Sequence, residues 1–168
     1  NQLTSLDLDN NIVLLELYCS GNSIYYLDVS DCTSLEQLVC WQNQLTTLDL
    51  NNNSNLWYVS CSLNQIDSLD LSNQPYLSLF DCYNNQLTYL DLRNGNNQNI
   101  SIWNLDMTNN PNLYCIDVDD PTWSTSNWTV ANFNIDPWAN FSANCAAIFG
   151  CTDSLACNYD SLANTDNG

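Results

Sequence analysis

The chain has no histidine and no lysine, and its one basic residue, Arg93, stands against 19 acidic residues for a formal net charge of −18. Binding nucleic acid requires Lys or Arg to neutralise phosphates, so that partner class is excluded. Anionic membrane surfaces are disfavoured for the same reason. Without histidine, the side chain most used for general acid–base chemistry near neutral pH is missing. Glycine is scarce, at four residues, and no nucleophile elbow or phosphate-cradling loop is spelled out. Glutamate is reduced to Glu16 and Glu36, leaving a chain rich in Asp and Asn, residues that favour turns over helix interiors. No apolar run is long enough to span a bilayer.

What is present is a repeat. Asn1, Asn22, Asn43, Asn64 and Asn85 recur every 21 residues, and the rest of the sequence keeps step with them. Each unit holds two apolar triplets spelled LxxLxL. The first runs Leu3, Leu6, Leu8, with echoes through Leu87, Leu90, Leu92. The second runs Leu14, Leu17, Cys19, with echoes through Leu77, Phe80, Cys82. The alternating end of each triplet marks a short strand with every other side chain inward. One unit cannot bury such a stripe alone, so the spacing predicts a solenoid of stacked coils. A fifth unit opens as NQLTYLDLRNG and then departs from the pattern.

The spelling LxxLxCxxNxL, as in Leu14 to Ile24, resembles the leucine-rich repeat consensus over about residues 1–120. The 21-residue unit is similar to nested short repeats in secreted and surface proteins of marine Bacteroidetes, and NLYCIDVDD (112–120) through FSANC (141–145) resembles their end cap. The resemblance implies a mainly β solenoid over 1–118, a C-terminal cap over 119–146 stapled by a Cys115–Cys145 disulfide, and an acidic Cys-containing tail over 147–168. Two buried free thiols are the alternative for Cys115 and Cys145. The tail is similar to short Cys-containing modules that follow such domains, with Cys151 and Cys157 as its pair. Disulfides imply an oxidising setting, secreted or on the cell surface. The start in mid-pattern reads as a piece of a longer secreted protein.

Cys19, Cys40, Cys61 and Cys82 share the 21-residue spacing at an inward position. Equivalent residues on neighbouring strands lie about 4.8 Å apart, wider than the Cβ separation a disulfide takes, so these are expected as reduced thiols packed as small hydrophobes. Cys32 falls in a slot that other units fill with Asn11 and Asn53, and is expected buried.

Asp7, Asp28, Asp49, Asp70 and Asp91 alternate with inward residues of the first triplet and so are expected to stack outward. Hydrogen bonds from nearby hydroxyls and corner amides would offset their repulsion. Ca²⁺ bridging adjacent carboxylates is the other reading, since Ca²⁺ takes six to eight oxygens. Asn158, Asp160, Asn164 and Asp166 in the tail loosely imitate a calcium loop. The outward positions of the second triplet vary from coil to coil, as on solenoid binding surfaces. There Tyr18, Gln37, Trp41, Tyr58 and Tyr83 are candidate ligand contacts, for sugar stacking or protein docking. Tyr25, Tyr26 and Tyr89 line the Asp ladder. The functional expectation is a non-catalytic extracellular recognition or adhesion module for a glycan or protein. The alternative is a structural protomer that assembles with itself into a filament or surface array.

Overall fold

The computed structural model describes residues 1–146, 149–150 and 165–166. Most regular elements are strands of two or three residues, gathered into two larger parallel sheets. The first sheet is built from second triplets: β1 (Glu16–Tyr18), β2 (Gln37–Val39), β3 (Tyr58–Ser60), β5 (Leu79–Asp81) and β7 (Leu105–Asp106), in that order. Leu17 pairs with Leu38, Leu38 with Val59 and Val59 with Phe80, so residues 21 apart in sequence are direct neighbours in space. The second sheet comprises β4 (Ser68–Asp70), β6 (Tyr89–Asp91), β8 (Cys115–Asp117) and β9 (Asn140–Ser142). A separate two-stranded pair joins β10 (Phe149–Gly150) to β11 (Thr165–Asp166).

First triplets were expected to form strands in every unit, but those at 6–8, 27–29 and 48–50 do not. In the early units neighbouring corners are joined by single backbone bonds, Ser23 N–H to the Leu3 carbonyl and Gln44 N–H to that of Ile24, with asparagine side chains completing the link. A continuing ladder of backbone bonds begins only where Asp67 donates to Thr46, Thr88 to Asp67 and Leu71 to Asp91. Leu27, Val29, Leu48 and Leu50 are buried all the same, because packing depends on which way a side chain points and not on a complete ladder.

Both triplets feed one hydrophobic core, in which Leu38, Val59, Phe80, Leu69 and Leu90 have at most 1% of their surface exposed. Cys19, Cys32, Cys40, Cys61 and Cys82 lie in it as free, buried thiols. Burial pushes the Cys19 thiol up to about 11 and raises Cys40, Cys61 and Cys82 further, which removes the thiolate that reactivity needs.

The recurring asparagines tie the coils together. The Asn64 side-chain oxygen accepts the Leu45 amide at 3.0 Å while its nitrogen donates to the carbonyls of Cys40 and Cys61. Asn43 and Asn85 repeat the arrangement one coil before and after. Each side chain thus satisfies buried backbone groups of two coils at once. The residue before each of these asparagines has a left-handed backbone: Gly21, Gln42, Leu63 and Asn84, at φ 64, 56, 56 and 55. Asn109 before Asn110 and Phe133 before Asn134 continue the series, both at φ 59.

The pairing runs on into the stretch resembling an end cap. β8 and β9 pair in register, Cys115 with Asn140, and a disulfide joins Cys115 to Cys145 with the Cα atoms 5.7 Å apart. Between them α1 (Pro121–Asn127) starts at Asp120, whose carboxylate accepts the Thr122 and Trp123 amides, with Pro121 pre-set for the first helical position. The helix delivers Trp123 and the fully buried Trp128, and Trp128 stands edge-on to Trp123 and Phe141 at 5.6 and 5.7 Å.

Candidate functional site

Along the first sheet, side chains that alternate with the inward Leu17, Leu38, Val59, Phe80 and Leu105 point away from the core and form two rows. Glu16, Gln37, Tyr58 and Leu79 are aligned in one, and Tyr18, Val39, Ser60, Asp81 and Asp106 in the other. At the N-terminal end the rows are knitted together: the Tyr18 hydroxyl donates to Gln37 Oε1 at 2.6 Å, and Gln37 Nε2 donates to Glu16 Oε1 at 2.9 Å. Tyr18 is 58% exposed. Trp41 and Tyr83 are exposed too, but sit past their strands, at the corners. Within these rows Val39 and Ser60 are nonetheless buried by their neighbours, as is Ser62 just past β3.

At the other end of the same sheet the surface becomes an open groove of about 360 Å³, lined by Tyr58, Asp81, Trp103, Asp106 and Phe133 among others. Of the five residues proposed from sequence as ligand contacts, only Tyr58 reaches it. Trp103 is 86% exposed and Phe133 77%. Asp81 and Asp106 are partners on adjacent strands. Each uses Oδ1 to hold its own turn, Asp81 accepting the Tyr83 amide and the Ser62 hydroxyl, Asp106 accepting the amide and hydroxyl of Thr108.

Trp103 was missed because it lies where the repeat departs from its period. One signal was available: Asn110 follows Asn85 by 25 residues instead of 21, and Ile102, Leu105, Met107 spell the second triplet in the shifted register. The extra residues form short 3-10 turns at Asn97–Asn99 and Ile102–Asn104, and the second of these carries Trp103. Phe133 occupies the left-handed corner of its coil. A side chain there is strained relative to glycine or asparagine, and in so exposed a position packing offers Phe133 no compensation.

The second face carries the aspartate ladder. Asp7, Asp28, Asp49 and Asp70 are exposed, and each accepts through Oδ1 the amide two residues ahead, from Asp9, Ser30, Asn51 and Ser72. Tyr26 and Tyr89 donate their hydroxyls to Asp28 and Asp91. Hydrogen bonds from the Ser30 hydroxyl, then the Ser30 amide and the Tyr26 hydroxyl, hold the Asp28 carboxyl below its ordinary value.

Asp91 departs from the expectation of an exposed rung, being buried together with its strand neighbour Asp117. Arg93 lies over both, 2.5 Å from Asp91 and 3.8 Å from Asp117, and donates to the Ala143 carbonyl. Burial raises the Asp91 carboxyl, but the hydrogen bonds and charge of Arg93 outweigh it and the net direction is down. The chain's one basic side chain is therefore spent where the ladder goes under cover. Among the described residues no three Asp, Glu, His or Cys side chains converge as a metal would need. A Ca²⁺ on the ladder would have to complete its shell with amides, hydroxyls and water. Of the tail residues, Cys151, Cys157, Asn158, Asp160 and Asn164 lie outside the described residues, while Asp166 is in β11.

No helix among the described residues is long and apolar enough to cross a membrane. No protein-family model matches the chain, and no curated protein sequence matches it. A solved structure titled as the functional domain of InlJ from Listeria monocytogenes, which includes a cysteine ladder, is similar at 27% identity. The match covers 69% of this chain and 33% of that one, with a TM-score of 0.44, so the chain spans about a third of that protein's length.

Proposed function

We propose that the chain is a leucine-rich repeat solenoid that serves outside the cell as a non-catalytic recognition or adhesion module, holding a glycan or protein on the outer face of its first sheet. The observation that carries this reading is the groove at the C-terminal end of that face. Two strongly exposed aromatic rings, Trp103 and Phe133, flank it beside Tyr58 and two carboxylates. Rings with few competing packing contacts, next to oriented polar groups, suit stacking on a sugar or docking of a partner side chain. The Cys115–Cys145 disulfide supports an oxidising, extracellular setting. An array of glycans and surface proteins probed with the wild type and with Trp103→Ala tests the reading. Its hits should fade at least tenfold in the variant, and a hit list untouched by Trp103→Ala, Phe133→Ala and Tyr58→Ala would place recognition elsewhere.

Self-assembly is the second reading. It is favoured by the aromatic side chains Tyr25, Tyr26 and Tyr89, exposed beside the aspartate ladder. Sedimentation over a hundredfold concentration range separates the two, since a monomer throughout removes the assembly reading. Ca²⁺ across Asp49 and Asp70 is tested separately. Bridging predicts a higher melting temperature in millimolar Ca²⁺ than in chelator, a difference abolished by Asp49→Asn with Asp70→Asn.

A further inference from the structure

We propose that the groove between Trp103 and Phe133 receives a cationic side chain, the arginine or lysine of a segment of a partner protein. The inference rests on the recognition reading above and narrows it to one occupant. The argument begins with charge. Asp81 and Asp106 face each other across one strand spacing, and their hydrogen bonds among the described residues all run through Oδ1. Two parallel carboxylates so close repel one another, and each keeps an oxygen free to accept from a donor. No cation of the protein relieves them, because Arg93 is engaged with Asp91 and Asp117 on the other sheet.

Ring geometry adds to charge. Tyr58, Trp103 and Phe133 surround the same carboxylates, and an aromatic face attracts a guanidinium or ammonium as well as an apolar stem. A planar guanidinium can donate to both carboxylates while stacking on a ring. A neutral sugar would use the rings but leave the carboxylate repulsion in place. An anionic polymer would add to it, in a chain already at −18.

The test is a titration of the intact chain with an arginine octapeptide, with its uncharged citrulline counterpart, and with neutral cello- and laminari-oligosaccharides. The arginine peptide should bind at least tenfold more tightly than the citrulline one. Trp103→Ala with Phe133→Ala, and Asp81→Asn with Asp106→Asn, should each weaken it tenfold or more. The control Asp9→Asn with Asp67→Asn removes the same charge away from the groove, Asp67 lying beside β4 of the other sheet, and should change binding less than twofold. If Phe133→Ala impairs folding, Phe133→Asn takes its place, since asparagine already occupies the equivalent corners at 84 and 109. A control pair as damaging as the groove pair would reduce the effect to diffuse attraction and overturn the inference. Binding of a neutral oligosaccharide that depends on Trp103, with none of the arginine peptide, would also overturn it while the recognition reading stands. Binding of neither probe in any variant would count against both.

Discussion

The first and last of the described repeats share a pattern and differ in how far their side chains are covered. At the C-terminal end a strand, a short helix, three aromatic rings, a disulfide and the one arginine close over the last coil. At the other end Leu6, Leu8, Leu14 and Leu17, whose equivalents further along are buried, are only partly covered, and Val13 is 78% exposed. A repeat whose core is made by neighbours has a well-packed interior wherever it has one on each side. In a polypeptide of these 168 residues, amides of residues 3–20 should exchange faster than those of β3, β5 and β6, which are packed on both sides.

The contrast can be broken most severely by removing the closure. Trp128→Ala deletes a fully buried ring that touches both Trp123 and Phe141, and should cost about 3–5 kcal/mol in denaturant unfolding. Cutting the Cys115–Cys145 bond with Cys145→Ser comes next. Closing a loop of 30 residues contributes roughly 3–4 kcal/mol in the chain-entropy view, so non-reducing and reducing melts of the wild type should differ while those of the variant coincide.

Arg93→Gln sharpens the contrast by uncovering two buried carboxylates, at about 2–3 kcal/mol once the arginine's partial exposure is discounted. It also carries a pH signature. The Asp91 carboxyl is lowered in the folded chain, so its contribution is complete above the unfolded carboxylate value of about 4 and fades as pH falls through the lower folded value. Without the guanidinium the residue-93 amide and the Tyr89 hydroxyl still bond Asp91, but the upward push of burial is less opposed, and acid unfolding should begin at higher pH. A variant whose acid midpoint stays in place would detach Arg93 from this role.

The asparagine corners offer the comparison within a single motif. Asn64→Ala leaves the buried Leu45 amide without its partner and takes one of two donors from each of the Cys40 and Cys61 carbonyls, which Asn43 and Asn85 still serve, for about 2 kcal/mol. Asn22→Ala, at a side chain only half-buried, should cost under 1 kcal/mol because water can take over. Smallest of all, Val13→Ser should stay within about 0.5 kcal/mol, as a surface change. A large loss there would mean that the first coil is covered in solution.

How much of this was legible depended on the period. Where 21 residues repeat, register follows from counting, and so the stacking of Cys40 over Cys61 and of Leu38 over Val59 could be read directly. Where the count changes to 25, between Asn85 and Asn110, the same reading lost the third triplet member Met107 and with it Trp103 beside the groove. Phe133 was invisible for another reason. Its importance comes from a corner backbone shape and a high exposure, neither of which apolar periodicity encodes. Asp91 looked like its four predecessors in sequence, and only the chain folded over it distinguishes it from them.

The left-handed corners hold a resource for engineering. Gln42 and Leu63 adopt a backbone shape that glycine takes without steric cost, as Gly21 does one coil earlier. Their side chains are exposed, so trimming them would leave no void. Glycine at both positions would relieve a recurrent local penalty in the middle of the stack. A more heat-resistant scaffold is thus available without touching either the thiol column or the groove.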